Sequence, residues 1–173
     1  LDTLGIARDG VRLIPETLTA QAFITTDLDD NQITAFHPGA MNQSWRCEVP
    51  RDAGIQVGVL APDCRQGMIS HAGQFASAGI PFVFDPGQGL PMFSGAELAE
   101  FVRLADYVAV NDYEGKLLEE KTGRKLEELA REVKALVVTL GARGSRIFAG
   151  GKAQDIPIAP AQSVTDPTGC GDA

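Results

Sequence analysis

From residue 55 onward the chain repeats one pattern. Short apolar runs at 55–60, 81–84, 107–110 and 135–139 alternate with stretches of helical character at 65–78, 94–105, 114–121 and 125–133. Short, nearly continuous apolar runs read as strands buried on both faces, which is the habit of parallel sheets. Strand–helix alternation then implies an α/β fold, with helices layered on a mainly parallel sheet. In such sheets ligands gather beyond the carboxyl ends of the strands. The positions to weigh are therefore those just after each strand: Asp85, Asn111, Glu114, Gly141 and Asp172.

Local signals support these elements. Gly79 is a natural stop for the first helix. Ser94 with Glu97 three residues on makes a capping box, and Leu98, Phe101, Val102, Leu104 and Ala105 form an apolar stripe behind it. Thr122-Gly123 splits the next helical stretch in two. Residues 145–149, a Gly150-Gly151 turn and residues 155–158 read as a terminal hairpin.

The first fifty residues differ in character. Residues 8–11 suggest a turn into a short strand. Residues 19–26 and 32–37 are rich in β-formers and flank a polar turn cluster at 27–31, so a β-hairpin is expected. Phe23 and Phe36 on it are either hairpin core or the aromatics of a small β lid over a flat substrate. Residues 1–42 are read as this lid and its connections, and 43–173 as the α/β core.

Composition narrows the function. The chain has 173 residues, about one domain. Its 15 basic and 23 acidic residues give a net charge of −8, which argues against nucleic-acid binding through a broad basic face. No apolar run approaches the ~20 residues of a membrane span, and no signal peptide is expected. Cys47, Cys64 and Cys170 form no C-x-x-C and read as reduced thiols in the cytoplasm. The sequon Asn42-Gln43-Ser44 lacks a secretory context. The chain starts at Leu1 and stops one residue after Asp172, where a helix should run on. The expectation is an internal fragment of a longer protein, cut at both ends.

Three strand-end motifs carry chemistry. In Asp166-Pro167-Thr168-Gly169-Cys170-Gly171-Asp172 two glycines flank a small residue, so the backbone can aim several amides at one spot. A helix starting there adds unpaired N–H groups, which suit a phosphate. Asp172 places a carboxylate beside that anion site, where it fits the task of taking a proton. The alternative is a plain strand-to-helix turn with a dipole-favoured acid. Asn111-x-x-Glu114 puts both side chains on one side of a first helical turn; it suits magnesium held largely through water, or a simple helix cap. Thr139-Leu140-Gly141-Ala142-Arg143-Gly144 offers a hydroxyl, a close backbone approach and a cation, or an ordinary turn. A P-loop and a G-x-G-x-x-G after a strand are both missing, and His37 and His71 are unpaired.

Together with the strand-end stretch 85–88, and in their order along the chain, these motifs resemble the ribokinase-like (PfkB) family of carbohydrate and nucleoside kinases. The resemblance covers about residues 19–173, with the final heptad its most specific part. It implies a three-layer ribokinase-like fold with a small β lid, and ATP-dependent transfer of the γ-phosphate to a hydroxyl. It makes Asp172 the catalytic base and Gly169, Cys170 and Gly171 the anion hole. Thr139, Gly141, Arg143, Gly144 and Thr168 would hold ATP, and Asn111 and Glu114 would organise Mg²⁺. The hairpin through Pro38-Gly39-Ala40-Met41, the Asn111–Glu114 element and the Asp-Pro-Thr-Gly opening look most like bacterial adenosine kinases. On that likeness Phe23, Phe36 and Met41 would meet a purine. Asp85-Pro86-Gly87-Gln88 departs from the family's usual Asp-Pro-Asn, leaving Gln88 for a sugar hydroxyl or a purine edge. Adenosine is the favoured acceptor; ribose or fructose in a sugar kinase of the same family is the alternative, and a nucleotide-binding module without turnover is another. The chain by itself is expected to be inactive, and a homodimer through the lid is expected of the parent.

Overall fold

The structure is a computed structural model and describes residues 2–6, 8, 10–27, 32–51 and 54–160. Among the described residues eight strands form two sheets. β1 (Gln21–Thr26) and β2 (Gln32–His37) pair with each other alone. β3 (Gly58–Leu60), β4 (Phe82–Phe84), β5 (Tyr107–Asn111), β6 (Ala135–Thr139), β7 (Ser145–Ala149) and β8 (Lys152–Ile156) form the second, in chain order. β3 to β6 run parallel; β7 and β8 return antiparallel. Four α-helices are described: α1 (Arg65–Ala78), α2 (Gly95–Leu104), α3 (Asp112–Thr122) and α4 (Leu126–Leu129).

Strand order explains where the core sits. Each parallel step moves to the next neighbour in the same direction, and right-handed crossovers then put α1, α2 and α3 on one face. On that face Leu60, Phe84, Val108, Leu136 and Phe148 are register partners in one row across five strands, and all are buried. Met68, Phe75, Leu98, Phe101, Val102 and Leu118 from the helices close over them. Phe101 stacks on Phe84 at 4.8 Å and meets Phe93 edge-on at 4.9 Å. Each such ring contributes about 1.5–3 kcal/mol by burial. On the opposite face Val59 is 63% exposed, and Val83, Ala109 and Val137 are only half-buried. The described residues thus supply two layers of the α/β fold, sheet and one helical layer.

Helix ends follow from their caps. Gly79 and Gly123 end α1 and α3 at φ +66° and +68°, a conformation that favours glycine. Ser94 accepts from the Glu97 N–H and Glu97 returns to the Ser94 N–H, the reciprocal box expected at α2. Val11 N–H donates to Arg8 O at 2.9 Å, a turn contact, and Gly10 and Val11 belong to no strand. β3 is shorter than expected because its neighbour β4 offers only three residues to pair with. The stretch 125–133 stays helical only over α4; afterwards Arg131 and Glu132 bond three residues back, and Lys134 N–H is drawn to Asp106 O at the start of β6. β8 starts straight after the two-glycine turn and ends before Pro157, which has no N–H to donate.

The connection after β2 is a 3-10 helix, Gly39–Arg46, packed against α1. Residue 42, where the lid was expected to give way to the core, lies inside it. Gly39 has φ +49°, and a Cβ there would lie 2.2 Å from Leu18 O, so the hairpin's exit closes on its own entry.

Candidate active site

Asn111 ends β5 and caps α3. Its Oδ1 accepts from the Glu114 N–H at 2.8 Å, and its own N–H donates to Glu114 Oε2 at 2.8 Å. Both residues of the expected metal pair are therefore tied to each other in a capping box. Asn111 Nδ2 and Glu114 Oε1 keep no partner among the described residues. Thr139 is the direct partner of Asn111 across the β5–β6 ladder, so the two motifs meet at one carboxyl edge.

The loop after Thr139 turns through a short 3-10 segment, Gly141–Arg143. Leu140 N–H donates to Gly144 O at 2.8 Å, closing it. Gly144 has φ +88°, and a Cβ on it would sit 2.0 Å from Ile156 O; Gly141, at φ +57°, has open space around it. The Arg143 guanidinium donates to Asp112 Oδ2 at 3.0 Å, linking this loop to the first turn of α3.

A cleft of about 340 Å³ opens at the carboxyl end of β3. Met41, Ser44, Pro62, Asp63 and His71 line it, so the structure brings Met41 to that edge of the sheet. Gln88 lies exposed on the 3-10 helix Gly87–Met92 that follows β4. Lys121, on the last turn of α3, donates to Pro91 O at 2.9 Å and Phe93 O at 2.7 Å. It ties the end of that loop to the helix that Asn111 caps.

Phe23 and Phe36 are 64% and 53% exposed, so neither is hairpin core. Phe23 pairs with Ala35 and Phe36 with Ala22. Direct partners share a face and neighbours along a strand do not, which puts the two rings on opposite faces. The expectation that both cover one flat ligand from this hairpin is corrected accordingly. Thr168, Gly169, Cys170, Gly171 and Asp172 lie outside the described residues.

Asp112 and Lys121 escaped sequence reasoning. Asp112 had one faint signal, an acid in a first helical turn; its partner Arg143 is 31 residues away. Among the described residues no three His, Cys, Asp or Glu side chains gather into a metal site. No helix among them is long and apolar enough to cross a membrane.

Residues 1–173 match the pfkB family of carbohydrate kinases along their whole length. The chain belongs to that family. A nucleoside kinase of Burkholderia thailandensis, solved in complex with inosine, is 51% identical, with a TM-score of 0.93 over 99% of this chain and 57% of its own. The same protein in complex with ADP-inosine gives a TM-score of 0.91 over 99% of this chain and 54% of that one. A nucleoside kinase of Methanothermobacter thermautotrophicus is 33% identical over 181 residues, 99% of this chain and 56% of the relative. The chain thus spans a little over half the length of the relatives it matches. The ribokinase-like α/β fold expected of this family is present.

Proposed function

We propose that the full-length protein transfers the γ-phosphoryl group of ATP to a primary hydroxyl of a purine nucleoside, adenosine or its close relative inosine. The observation that carries this reading is the pairing of Asn111 with Thr139, which sets the N-x-x-E helix start beside the glycine loop at one carboxyl edge. The likeness to a nucleoside kinase bound to inosine supports the acceptor class.

The roles follow from chemistry at that edge. Thr139, Gly141, Arg143 and Gly144 hold the nucleotide, and Thr168 contributes to the same task. Asp172 takes the hydroxyl proton while the Gly169, Cys170 and Gly171 amides hold the migrating charge. Phosphoryl transfer depends mostly on such positioning and charge stabilisation. Met41 and Gln88, with one of the two lid phenylalanines, meet the nucleoside.

The metal pair suits Mg²⁺ held through water. Asn111 Oδ1 is occupied by the cap, so direct ligation would cost the helix its N-terminus. Its Nδ2 remains a donor for phosphate oxygen or water, and Glu114 Oε1 an acceptor for a metal-bound water. Mg²⁺ keeps several waters and supplies charge neutralisation to the phosphates when bound.

The hairpin has apolar residues on both faces: Phe23 and Ile33 on one, Ile24 and Phe36 on the other, all exposed. A two-stranded ribbon is marginal alone in water. One face covers the acceptor and the other meets the lid of a second copy. The reaction belongs to purine salvage in the cytoplasm, where Cys47 and Cys64 stay free thiols.

The test is acceptor-dependent ADP production by the purified full-length protein, with adenosine, inosine, ribose and fructose compared. Turnover with the nucleosides supports the proposal. A preference for ribose or fructose replaces it with the sugar-kinase reading, and no ADP with any acceptor removes it.

A further inference from the structure

We propose that Arg143 serves to neutralise Asp112, and that this ion pair keeps the first turn of α3 open to the phosphates of the nucleotide. The inference rests on the reading of 139–144 as the ATP loop. It adds Asp112 to the site and changes the task of Arg143 from phosphate ligand to countercharge.

The first turn of α3 places two carboxylates, Asp112 and Glu114, where a polyanion is to enter. The helix start itself favours an anion, through its unpaired amides and its dipole. A bare carboxylate at the same end works against that attraction. Glu114 is partly compensated, since one of its oxygens accepts the Asn111 N–H at 2.8 Å. Asp112 is compensated by Arg143, whose Nη2 lies 3.0 Å from Oδ2.

The pair is poorly placed to stabilise the fold. The Arg143 and Asp112 side chains are 69% and 48% exposed, and exposed ion pairs contribute little. The loop is already closed by Leu140 N–H to Gly144 O and by Gly144 N–H to Gly141 O, at 2.8 and 3.0 Å. Its backbone therefore does not depend on the Arg143 side chain. What the guanidinium alone supplies is a positive charge against Asp112.

Three variants of the full-length protein test this: Arg143→Ala, Asp112→Asn and the two combined, each titrated with ATP by calorimetry at low salt. Removing Arg143 unmasks Asp112, and ATP affinity is expected to fall about fivefold, the effect of one close like charge in a water-rich setting. Asp112→Asn raises the affinity, because the Arg143 charge is then left uncompensated beside the phosphates. The combined variant recovers most of what Arg143→Ala loses. The Arg143→Ala defect shrinks at about 0.5 M salt, because screening acts on exposed charges; a purely structural role would not respond so. A combined variant as weak as Arg143→Ala overturns the inference and makes Arg143 a direct phosphate ligand. An Arg143→Ala variant with full affinity overturns it as well. Native protein that binds ATP without acceptor-dependent ADP sinks only the kinase reading; native protein that binds no ATP sinks both.

Discussion

Asn111 and Thr139 stand side by side as the last residues of two parallel strands. One caps a helix and the other opens a glycine loop, so a shift of either strand moves both motifs. A residue pair of this kind couples the stability of the sheet to the geometry of the proposed site.

Asp172 is the sharpest single test of the proposed mechanism. A positioned general base is worth ~10²–10⁴-fold in rate. In the full-length protein Asp172→Asn is expected to lower kcat by that order, while ATP affinity by calorimetry stays within about threefold. Unchanged kcat would take this carboxylate out of the reaction.

Two glycines of the loop should respond differently to the same change. Gly141→Ala meets only the left-handed backbone, a cost of about 1–2 kcal/mol. Gly144→Ala adds a clash with Ile156 O, where β8 ends, and is expected to cost at least 1 kcal/mol more. Urea unfolding of both variants measures the difference. Equal costs would mean that the β8 end yields easily.

The lid rings should separate cleanly. Because Phe23 and Phe36 lie on opposite faces, one single alanine variant is expected to raise the nucleoside KM severalfold. The other is expected to leave KM nearly unaltered and to weaken self-association. Steady-state kinetics alongside sedimentation velocity read the two effects. Equal KM increases from both would mean that the hairpin does not present one face to the acceptor.

Acid should loosen α2 through its cap. The Ser94 backbone N–H, then its hydroxyl and Arg65, hold the Glu97 carboxyl below the usual range. A lowered folded pKa means stability that is present above the unfolded value, about 4.3, and is lost as pH falls through the folded one. Glu97→Gln should flatten that part of the stability–pH curve, measured by urea unfolding between about pH 2 and pH 6. An identical curve for the variant would assign the acid dependence to other carboxylates.

The sheet and its helices were largely legible because their signals are local. α1 matched its expected span, 65–78, since Gly79 and the strands around it leave little freedom. The motif spacing found Asn111 and Glu114 but could not choose between cap and ligand, a matter of a few side-chain torsions. The opposed faces of Phe23 and Phe36 needed the register of two strands, which alternation within each strand does not determine. The Asp112–Arg143 and Lys121 contacts join residues about thirty positions apart, beyond the reach of any local pattern. β3 lost half its expected length because a strand is bounded by its neighbour as well as by its own residues.

The sequential order of β3 to β8 has a kinetic side. From β4 onward each strand emerging from the ribosome finds a partner in the strand synthesised just before it. Among the described residues no closure in this sheet spans more than two helices and their connections, which keeps the entropic barrier to each pairing low. The helical layer can settle on the growing sheet at each step, so hydrophobic strands wait only briefly for cover during synthesis.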